Sequence, residues 1–175
     1  YLIILIYLII LFEVLLNFKK FKIFILIYLL ISFSSLFNIN FEDSFYLKFN
    51  LMIIVIVSFD IFSYLVGSAL GKIKILKHIS PNKTLEGFLG GFIISILVSI
   101  IYSYLFKLNI NLNLIIFITS IIISAFIGDI IESIFKRLNS IKNSSNYIPG
   151  HGGFFDRFDS FVLSIFVYSI IINIL

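Results

Sequence analysis

Several residue types are absent or scarce in this 175-residue chain, and each shortage excludes a class of protein. The chain contains no cysteine, which excludes both a disulfide framework and a thiolate metal site. Only two histidines are present, so a histidine-rich metal site is excluded as well. Charged residues make up 13% of the chain, about half their share in ordinary soluble domains. The chain is therefore neither a disordered tail nor an ordinary soluble enzyme.

Apolar residues dominate the composition, at 61%, and they collect in six segments. These segments are residues 1–16, 23–37, 51–70, 88–106, 114–135 and 160–175. Each is apolar nearly all round, as expected of a helix in lipid, and none shows the period of two that a membrane β-barrel requires. The sequence predicts an all-α, polytopic transmembrane helix bundle of about six spans. We expect a single integral membrane domain over residues 1–175 and, because the sequence starts with Tyr1 rather than Met, a missing N-terminal piece.

Basic residues predict how the spans are oriented. Eleven of the thirteen lysines and arginines lie in the first, third and fifth loops between these segments. The second and fourth loops contain one each, Lys48 and Lys107. Because positive residues stay on the cytoplasmic side of a membrane, the first, third and fifth loops are predicted to face the cytoplasm. We therefore expect an integral protein of the cytoplasmic (inner) membrane with both termini outside.

The fifth segment carries polar residues near its predicted cytoplasmic end. Asp129, Glu132, Ser133 and Lys136 are spaced i, i+3, i+4 and i+7, which places them in one stripe of a helix. The stripe leads directly into the cation pair formed by Lys136 and Arg137. Carboxylates at membrane depth usually face a partner or a wet cavity. The pattern favours a divalent metal with bound phosphate, and the alternative is a purely structural contact between helices.

The fifth loop contains the most informative stretch, Pro149-Gly-His-Gly-Gly-Phe-Phe-Asp-Arg-Phe-Asp159. Its glycines let the backbone approach a ligand, and successive backbone N–H groups in such a turn can cradle an anion. Asp156 and Asp159 share a face if the last helix begins there, and such carboxylates favour Mg²⁺ over zinc. Arg157 offers a planar fork that fits phosphate.

Other basic residues in the third and fifth loops are candidate phosphate contacts. For His151 a functional role, as a phosphate contact or proton donor, is weighed evenly against a structural hydrogen bond. Lys142, taken alone, is more typical of a solvated cation. In the third loop, Ser80-Pro81 predicts a helix start with Ser80 as N-cap, and helix N-termini attract phosphate. Lys83 would then lie in the first helical turn and extend the basic cluster.

Three motifs in these segments together carry a family resemblance. They are Ser80-Pro81-x-Lys83-Thr84-x-Glu86-Gly87; Gly128-Asp129-x-x-Glu132-Ser133; and Ser133-x-Phe135-Lys136-Arg137 followed by Lys142 and Pro149-x-His151-Gly152-Gly153-Phe154-x-Asp156-Arg157-Phe158-Asp159. In these motifs the chain resembles the phosphatidate cytidylyltransferases, also called CDP-diacylglycerol synthases. The resemblance covers residues 55–175, the part expected to be catalytic. The chain departs from the family signature at position 143, where it has Asn and the signature usually has Asp.

The resemblance implies a Mg²⁺-dependent nucleotidyltransferase that transfers CMP from CTP to phosphatidic acid, giving CDP-diacylglycerol and pyrophosphate in phospholipid biosynthesis. The active site is expected at the cytoplasmic face, where the basic loops lie, with membrane lipid around it. A second cation and a homodimer are further candidates. Nucleic-acid binding is not expected, because topology and phosphate account for the basic residues and there is no soluble basic domain. The catalytic residues that the resemblance implies are Asp129, Lys136, Arg137, Asp156 and Asp159. The substrate-binding residues it implies are Lys83, Ser133, Lys142, His151, Gly152, Gly153 and Arg157. The metal ligands it implies are Asp129 and Asp156, with Glu132, Ser133 and Asn143 as additional candidates.

Two other functions are compatible with the sequence. The acceptor pocket of a membrane enzyme is built from generic Ile, Leu and Phe, so CTP-dependent transfer to another lipid phosphate or prenyl lipid stays open. The chain could also be a catalytically inactive membrane subunit or a transporter. A transporter would need charged residues such as Asp60, which lies in the middle of the third segment, along a path through the bundle. The concentration of polar residues at one predicted membrane face argues against such a path.

Overall fold

Each of the six apolar segments forms an α-helix over most of its described residues, because a long apolar run can satisfy its own backbone hydrogen bonds only within a helix. The computed structural model describes residues 2–38, 45–150 and 152–174. The helices are α1 (Leu2–Asn17), α2 (Lys22–Ser35), α3 (Phe45–Leu70), α4 (Leu85–Leu105), α5 (Leu112–Leu138) and α6 (Phe155–Ile174). A short 3₁₀ turn, Leu36–Asn38, follows α2.

Three of these helices are long and apolar enough to cross a membrane. They are Tyr46–Leu70, Leu85–Leu105 and Leu112–Leu138, whereas α1 and α2 are shorter apolar helices. The surface of α4 shows the character of a membrane helix most clearly. Large side chains four residues apart are exposed along one face, namely Leu89, Ile93, Leu97 and Ile101. Apolar groups on the outside fit a lipid environment, where the hydrophobic effect does not drive them inward.

The opposite face of α4 is a buried stripe of small residues, which explains its close packing on α3. The stripe consists of Gly87, Gly91, Ser95, Ser99 and Ser103. A Cβ atom on Gly91 would lie 2.8 Å from the Cβ of Ser63 in α3, so the two backbones approach as closely as glycine permits. Such small-residue contacts replace hydrophobic driving force between helices in a bilayer.

The third loop is a β-hairpin, so the all-α prediction is wrong in this loop and so is the predicted helix start at Ser80. Strands β1 (Lys74–Leu76) and β2 (Ser80–Thr84) pair antiparallel, with Leu76 opposite Ser80. Proline restricts the residue before it to extended conformations and is tolerated in an edge strand, which is the position that Pro81 occupies. The N-cap of α4 is Thr84, whose hydroxyl accepts a hydrogen bond from the Gly87 N–H at 3.1 Å.

The three loops with most of the basic residues meet at one end of the bundle. The side-chain oxygen of Asn139, just after α5, accepts hydrogen bonds from the backbone N–H groups of Lys19 and Lys20 at 2.8 and 2.7 Å. The Arg137 guanidinium donates to the carbonyl oxygen of Ile79 in the hairpin at 3.0 Å. The first and third loops are therefore both bonded to the start of the fifth. Which membrane face this end occupies stays a prediction.

Candidate active site

A cavity of about 340 Å³ lies between the hairpin and helices α3 to α6. Of the residues that the structure describes, six with charged side chains line it: Asp60, Lys83, Asp129, Asp156, Arg157 and Asp159. They come from four separate elements, so the fold assembles a polar chamber that no single segment contains. Phe59, Phe88 and Phe126 supply apolar wall, which lowers the local dielectric and strengthens the electrostatic interactions inside.

The polar stripe predicted on the fifth segment is present on α5. Glu132 is fully buried and Ser133 nearly so. The Lys136 ammonium lies 2.5 Å from a carboxylate oxygen of Glu132, one turn earlier on the helix. The Ser133 hydroxyl approaches Asp129 at 3.4 Å, again one turn apart. The spacing along the sequence therefore does place these four side chains along one face.

Lys136 joins α5 to α6. Its ammonium also donates a hydrogen bond to the Asp156 carboxylate at 2.7 Å, so one cation lies between two carboxylates on different helices. Within the part of the chain that the structure describes, no other hydrogen bond reaches the oxygens of Glu132. Lys136 is thus the partner that makes a buried Glu132 tolerable, since an uncompensated buried charge is strongly unfavourable.

Asp156 is held by the fifth loop as well as by Lys136. Its second oxygen accepts hydrogen bonds from the backbone N–H and hydroxyl of Ser144, at 2.8 and 3.0 Å, and from the Gly153 N–H at 2.8 Å. Burial by itself raises the pKa of this carboxyl, but the bonds from Gly153 and Lys136 outweigh it and hold the pKa below its usual value. Asp156 lies in the first turn of α6, before the sixth apolar segment. Its carboxylate is ionised and held in place by these hydrogen bonds.

Gly152 is required by its backbone conformation and by the space around it. Its φ is +84°, in the left-handed region that side chains disfavour, and a Cβ atom there would lie 2.5 Å from an oxygen of Asp156. The N–H of the neighbouring Gly153 is used by Asp156. The structure thus gives both glycines a role in fixing a carboxylate, and their predicted contact with substrate stays a prediction.

The hairpin contributes Lys83 to the cavity. Its ammonium lies 2.5 Å from the Asp129 carboxylate and 4.9 Å from the centre of the Phe126 ring, which adds a cation–π contact. Asp129 and Asp156, the two predicted metal ligands, therefore each have a lysine partner. The hairpin therefore brings Lys83, a predicted substrate contact, next to one of the acids of the cavity.

Other predicted site residues lie outside the cavity lining. Arg137 is exposed and donates to backbone carbonyl oxygens of Ile79 and Ile141, at 3.0 and 3.3 Å. Lys142 and Asn143 are exposed on the loop after α5. His151 falls outside the described residues. The roles predicted for these four residues stay predictions.

Asp60 lines the cavity, but the sequence alone does not indicate its bonding partner or its role. One of its carboxylate oxygens accepts a hydrogen bond from the Ser160 hydroxyl at 3.0 Å, which links α3 to α6. The signal available in the sequence was a carboxylate in the middle of an apolar segment, and this signal does not name a partner. Glu13 in α1 is a second carboxylate within an apolar segment; it is fully buried, and no sequence motif marks it.

The donor set of the cavity fits a hard divalent cation. All four acidic residues that line it offer carboxylate oxygens, which are the ligands that Mg²⁺ prefers. Among the described residues there is no group of three or more His, Cys, Asp or Glu side chains placed to hold a metal. Mg²⁺ does not need such a group, because it is usually bound by one or two carboxylates together with waters and substrate phosphates.

Comparison with known proteins identifies a family over the whole chain. The model of the cytidylyltransferase family matches residues 1–175. A phosphatidate cytidylyltransferase of Bacillus subtilis is 36% identical over 110 residues, which is 62% of this chain and 41% of the relative. Those of Staphylococcus aureus and Staphylococcus saprophyticus are 33% and 35% identical over 122 residues, or 69% of this chain and 46% of each relative. The chain spans less than half the length of these curated relatives.

Proposed function

We infer the function of this chain from its family and its cavity: it belongs to the cytidylyltransferase family, whose model spans residues 1–175. We propose that it transfers CMP from CTP to phosphatidic acid, giving CDP-diacylglycerol and pyrophosphate. The observation that carries the proposal is the cavity in which Asp129 and Asp156 lie with the cations Lys83 and Arg157. This arrangement suits two phosphate-bearing substrates that must be brought together despite their negative charge.

The reaction is a displacement at phosphorus. An oxygen of the phosphatidic acid phosphate forms a bond to the α-phosphorus of CTP, and the bond from that phosphorus to the oxygen bridging the α- and β-phosphates breaks, releasing pyrophosphate. The attacking oxygen is already anionic near neutral pH, so a strong general base is not required. The reaction needs alignment of the two phosphates and neutralisation of their charge.

The side chains of the cavity supply these requirements in distinct ways. Asp129 and Asp156 would hold Mg²⁺, which when bound neutralises phosphate charge and favours departure of pyrophosphate. Lys83 and Arg157 offer further positive charge at the cavity wall. Lys136 keeps Asp156 in place by bonding it to α5, with Glu132 as the buried counter-ion. Asp159, which lines the same cavity as Ser160 and Asp129, would orient groups around the metal.

We also propose that the site lies at the cytoplasmic surface of the membrane. The cavity lies at the end of the bundle where the basic loops meet, and positive loops face the cytoplasm. The exposed apolar face of α4 would contact lipid. We propose about six spans in the inner membrane, with the phosphate head group entering the cavity at the interface while the acyl chains stay in lipid. A homodimer is a further proposal, which the mass of the detergent-solubilised protein tests.

Turnover by the purified chain in lipid vesicles tests the proposed reaction directly. With CTP, phosphatidic acid and Mg²⁺ we expect labelled CMP to enter the lipid fraction and one pyrophosphate to be released for each CMP. Removal of Mg²⁺ with a chelator should abolish both products. Polyprenyl phosphate offered in competition distinguishes the acceptors, and preferential transfer to it would replace phosphatidic acid in the proposal. Absence of both lipid products with Mg²⁺ present would contradict the function.

Changing Lys83 to Met is expected to lower kcat/KM by about 10- to 100-fold. The estimate follows from the loss of a hydrogen bond to a charged group, worth about 1.5–3 kcal/mol. Lys83 lines the cavity and pairs with Asp129, so its loss weakens phosphate neutralisation and leaves that carboxylate without its lysine. The matched control is Lys77→Met, the same change at an exposed position of the same hairpin. Equal rates for both variants would remove Lys83 from the site.

A further inference from the structure

Glu13 is a fully buried carboxylate in the first helix, far along the sequence from the residues that it contacts. Among the described residues it receives four hydrogen bonds, all from the fifth loop and the start of α6. One oxygen accepts from the Ser145 hydroxyl at 2.7 Å and the Phe154 N–H at 2.8 Å. The other accepts from the Ser144 hydroxyl at 3.1 Å and the Phe155 N–H at 2.9 Å.

The arrangement of donors selects a carboxylate at this position. Each oxygen of Glu13 receives one backbone N–H, and a backbone N–H cannot turn round to accept a hydrogen bond. A glutamine has only one side-chain oxygen, so in either orientation its NH₂ group would face a backbone N–H. Within the described residues no lysine or arginine forms an ion pair with Glu13, so these four donors are what compensates its burial.

Glycine at position 153 makes room for this contact. A Cβ atom there would lie 2.6 Å from the Glu13 oxygen and 2.6 Å from the Ser145 hydroxyl. The helix that carries Glu13 is itself packed in the core, because Ile10 and Val14, which precede and follow Glu13 in α1, are fully buried. The fifth loop is therefore fastened to a packed helix rather than to another loop.

The same loop residues also bind Asp156. The single hydroxyl hydrogen of Ser144 is shared between both carboxylates, with its oxygen 3.1 Å from Glu13 and 3.0 Å from Asp156. Three successive backbone N–H groups are divided between them, with Gly153 bonded to Asp156 and the next two residues bonded to Glu13. A displacement of this segment would therefore move Asp156 relative to Asp129 across the cavity.

We propose that Glu13 is a positioning residue of the active site: its carboxylate fastens the fifth loop and the first turn of α6 to α1, and so fixes where Asp156 lies. Glu13 lies outside the set of residues that line the cavity, so it acts through the loop. The consequence for turnover rests on the proposed function, whereas the fastening of the loop does not.

The fastening is tested by the mobility of a spin label in Glu13→Gln. Because the chain has no cysteine, Tyr147→Cys provides a single labelling site on the fifth loop, where the side chain is 49% exposed. We expect Glu13→Gln to narrow the spectral lines of this label, which reports faster motion. A label at Asn109→Cys, on the exposed loop between α4 and α5, should be unchanged. Unchanged mobility at residue 147 would overturn the proposal.

The consequence for catalysis is tested by turnover of the unlabelled Glu13→Gln protein. We expect kcat/KM to fall by about 100-fold, the typical effect of misplacing a reacting group by about 1 Å, and the Mg²⁺ concentration for half-maximal rate to rise. The matched control, Ser124→Ala, removes a buried hydroxyl contact of 3.0 Å between α5 and α6 but leaves the loop untouched. A purely structural role would lower the amount of active protein without moving the Mg²⁺ dependence.

If Glu13→Gln does not fold, the milder variant Ser145→Ala tests the same proposal. Ser145→Ala removes one of the four donors and should shift loop mobility and Mg²⁺ dependence in the same direction, with a fall in rate of at most about tenfold. A mobile loop with unaltered turnover would overturn the positioning role. If the parent protein shows no turnover, the proposed function fails, and the label mobility still decides whether Glu13 fastens the loop.

Discussion

Replacing Asp156 with Asn is expected to reduce formation of the cytidylylated lipid by two to three orders of magnitude, the scale seen when one electrostatic contact to a transition state is removed. The carboxylate accepts bonds from the Lys136 ammonium on one oxygen and from Ser144 and Gly153 on the other. An asparagine offers a single acceptor oxygen, so its NH₂ group must face either an ammonium or backbone N–H groups. The variant also removes one charge from the proposed metal site.

The experiment compares initial rates of CMP transfer in vesicles at saturating Mg²⁺, with the amount of folded protein measured in each preparation. Ser99→Ala is a suitable control, since it deletes a buried hydrogen bond of 2.6 Å within α4, away from the cavity. Raising Mg²⁺ should not restore the rate of Asp156→Asn, because the ligand itself is changed. A folded Asp156→Asn protein with more than a tenth of the parent rate would remove Asp156 from the proposed mechanism.

Three backbone N–H groups in and after the glycine-rich loop bind carboxylates of the protein itself. The sequence indicates only that N–H groups of such a turn can cradle an anion, and a contact with substrate stays a prediction. In the structure the N–H of Gly153 bonds to Asp156, and those of Phe154 and Phe155 bond to Glu13. These N–H groups therefore orient acidic side chains of the protein, and in the proposed function they would act on phosphate through a metal held by Asp156.

The helical spacing of residues explains why the part of the site on α5 could be predicted from the sequence. The residues of the α5 stripe are three or four positions apart, and on a helix this spacing fixes their relative placement whatever the rest of the chain does. The six helices follow from their apolar lengths in the same way. The motifs of the fifth loop also identified the family, because their residues are close together in the sequence.

The rest of the site depends on contacts between distant segments. Asp60 meets Ser160 across 100 positions, and Glu13 meets the fifth loop across 131 to 142 positions. In the sequence each is a lone carboxylate within an apolar run, and its partners are set only by how the helices pack. The hairpin was missed for a different reason, because Ser80-Pro81 satisfies the local rules for a helix start and for an extended strand alike.

Changing Lys136 to Met is expected to destabilise the protein by about 3–5 kcal/mol and to lower turnover by about 100-fold or more. The ammonium lies 2.5 Å from Glu132, which is fully buried, and 2.7 Å from Asp156. Its removal leaves Glu132 without its counter-ion and Asp156 without one of its hydrogen bonds. Heat unfolding in detergent measures the first effect, and initial rates below the unfolding temperature measure the second. Lys77→Met, an exposed lysine, should alter neither.

A double variant separates the stability effect from the catalytic one. In Glu132→Leu with Lys136→Met both partners of the buried pair become apolar, and such replacements are often neutral or stabilising. The unfolding temperature should therefore return towards that of the parent protein. Turnover should stay low, because the apolar side chains cannot replace the bond from Lys136 to Asp156. If both the unfolding temperature and the turnover recover, Lys136 serves only to compensate the charge of Glu132. If the unfolding temperature alone recovers, Lys136 is needed to orient Asp156.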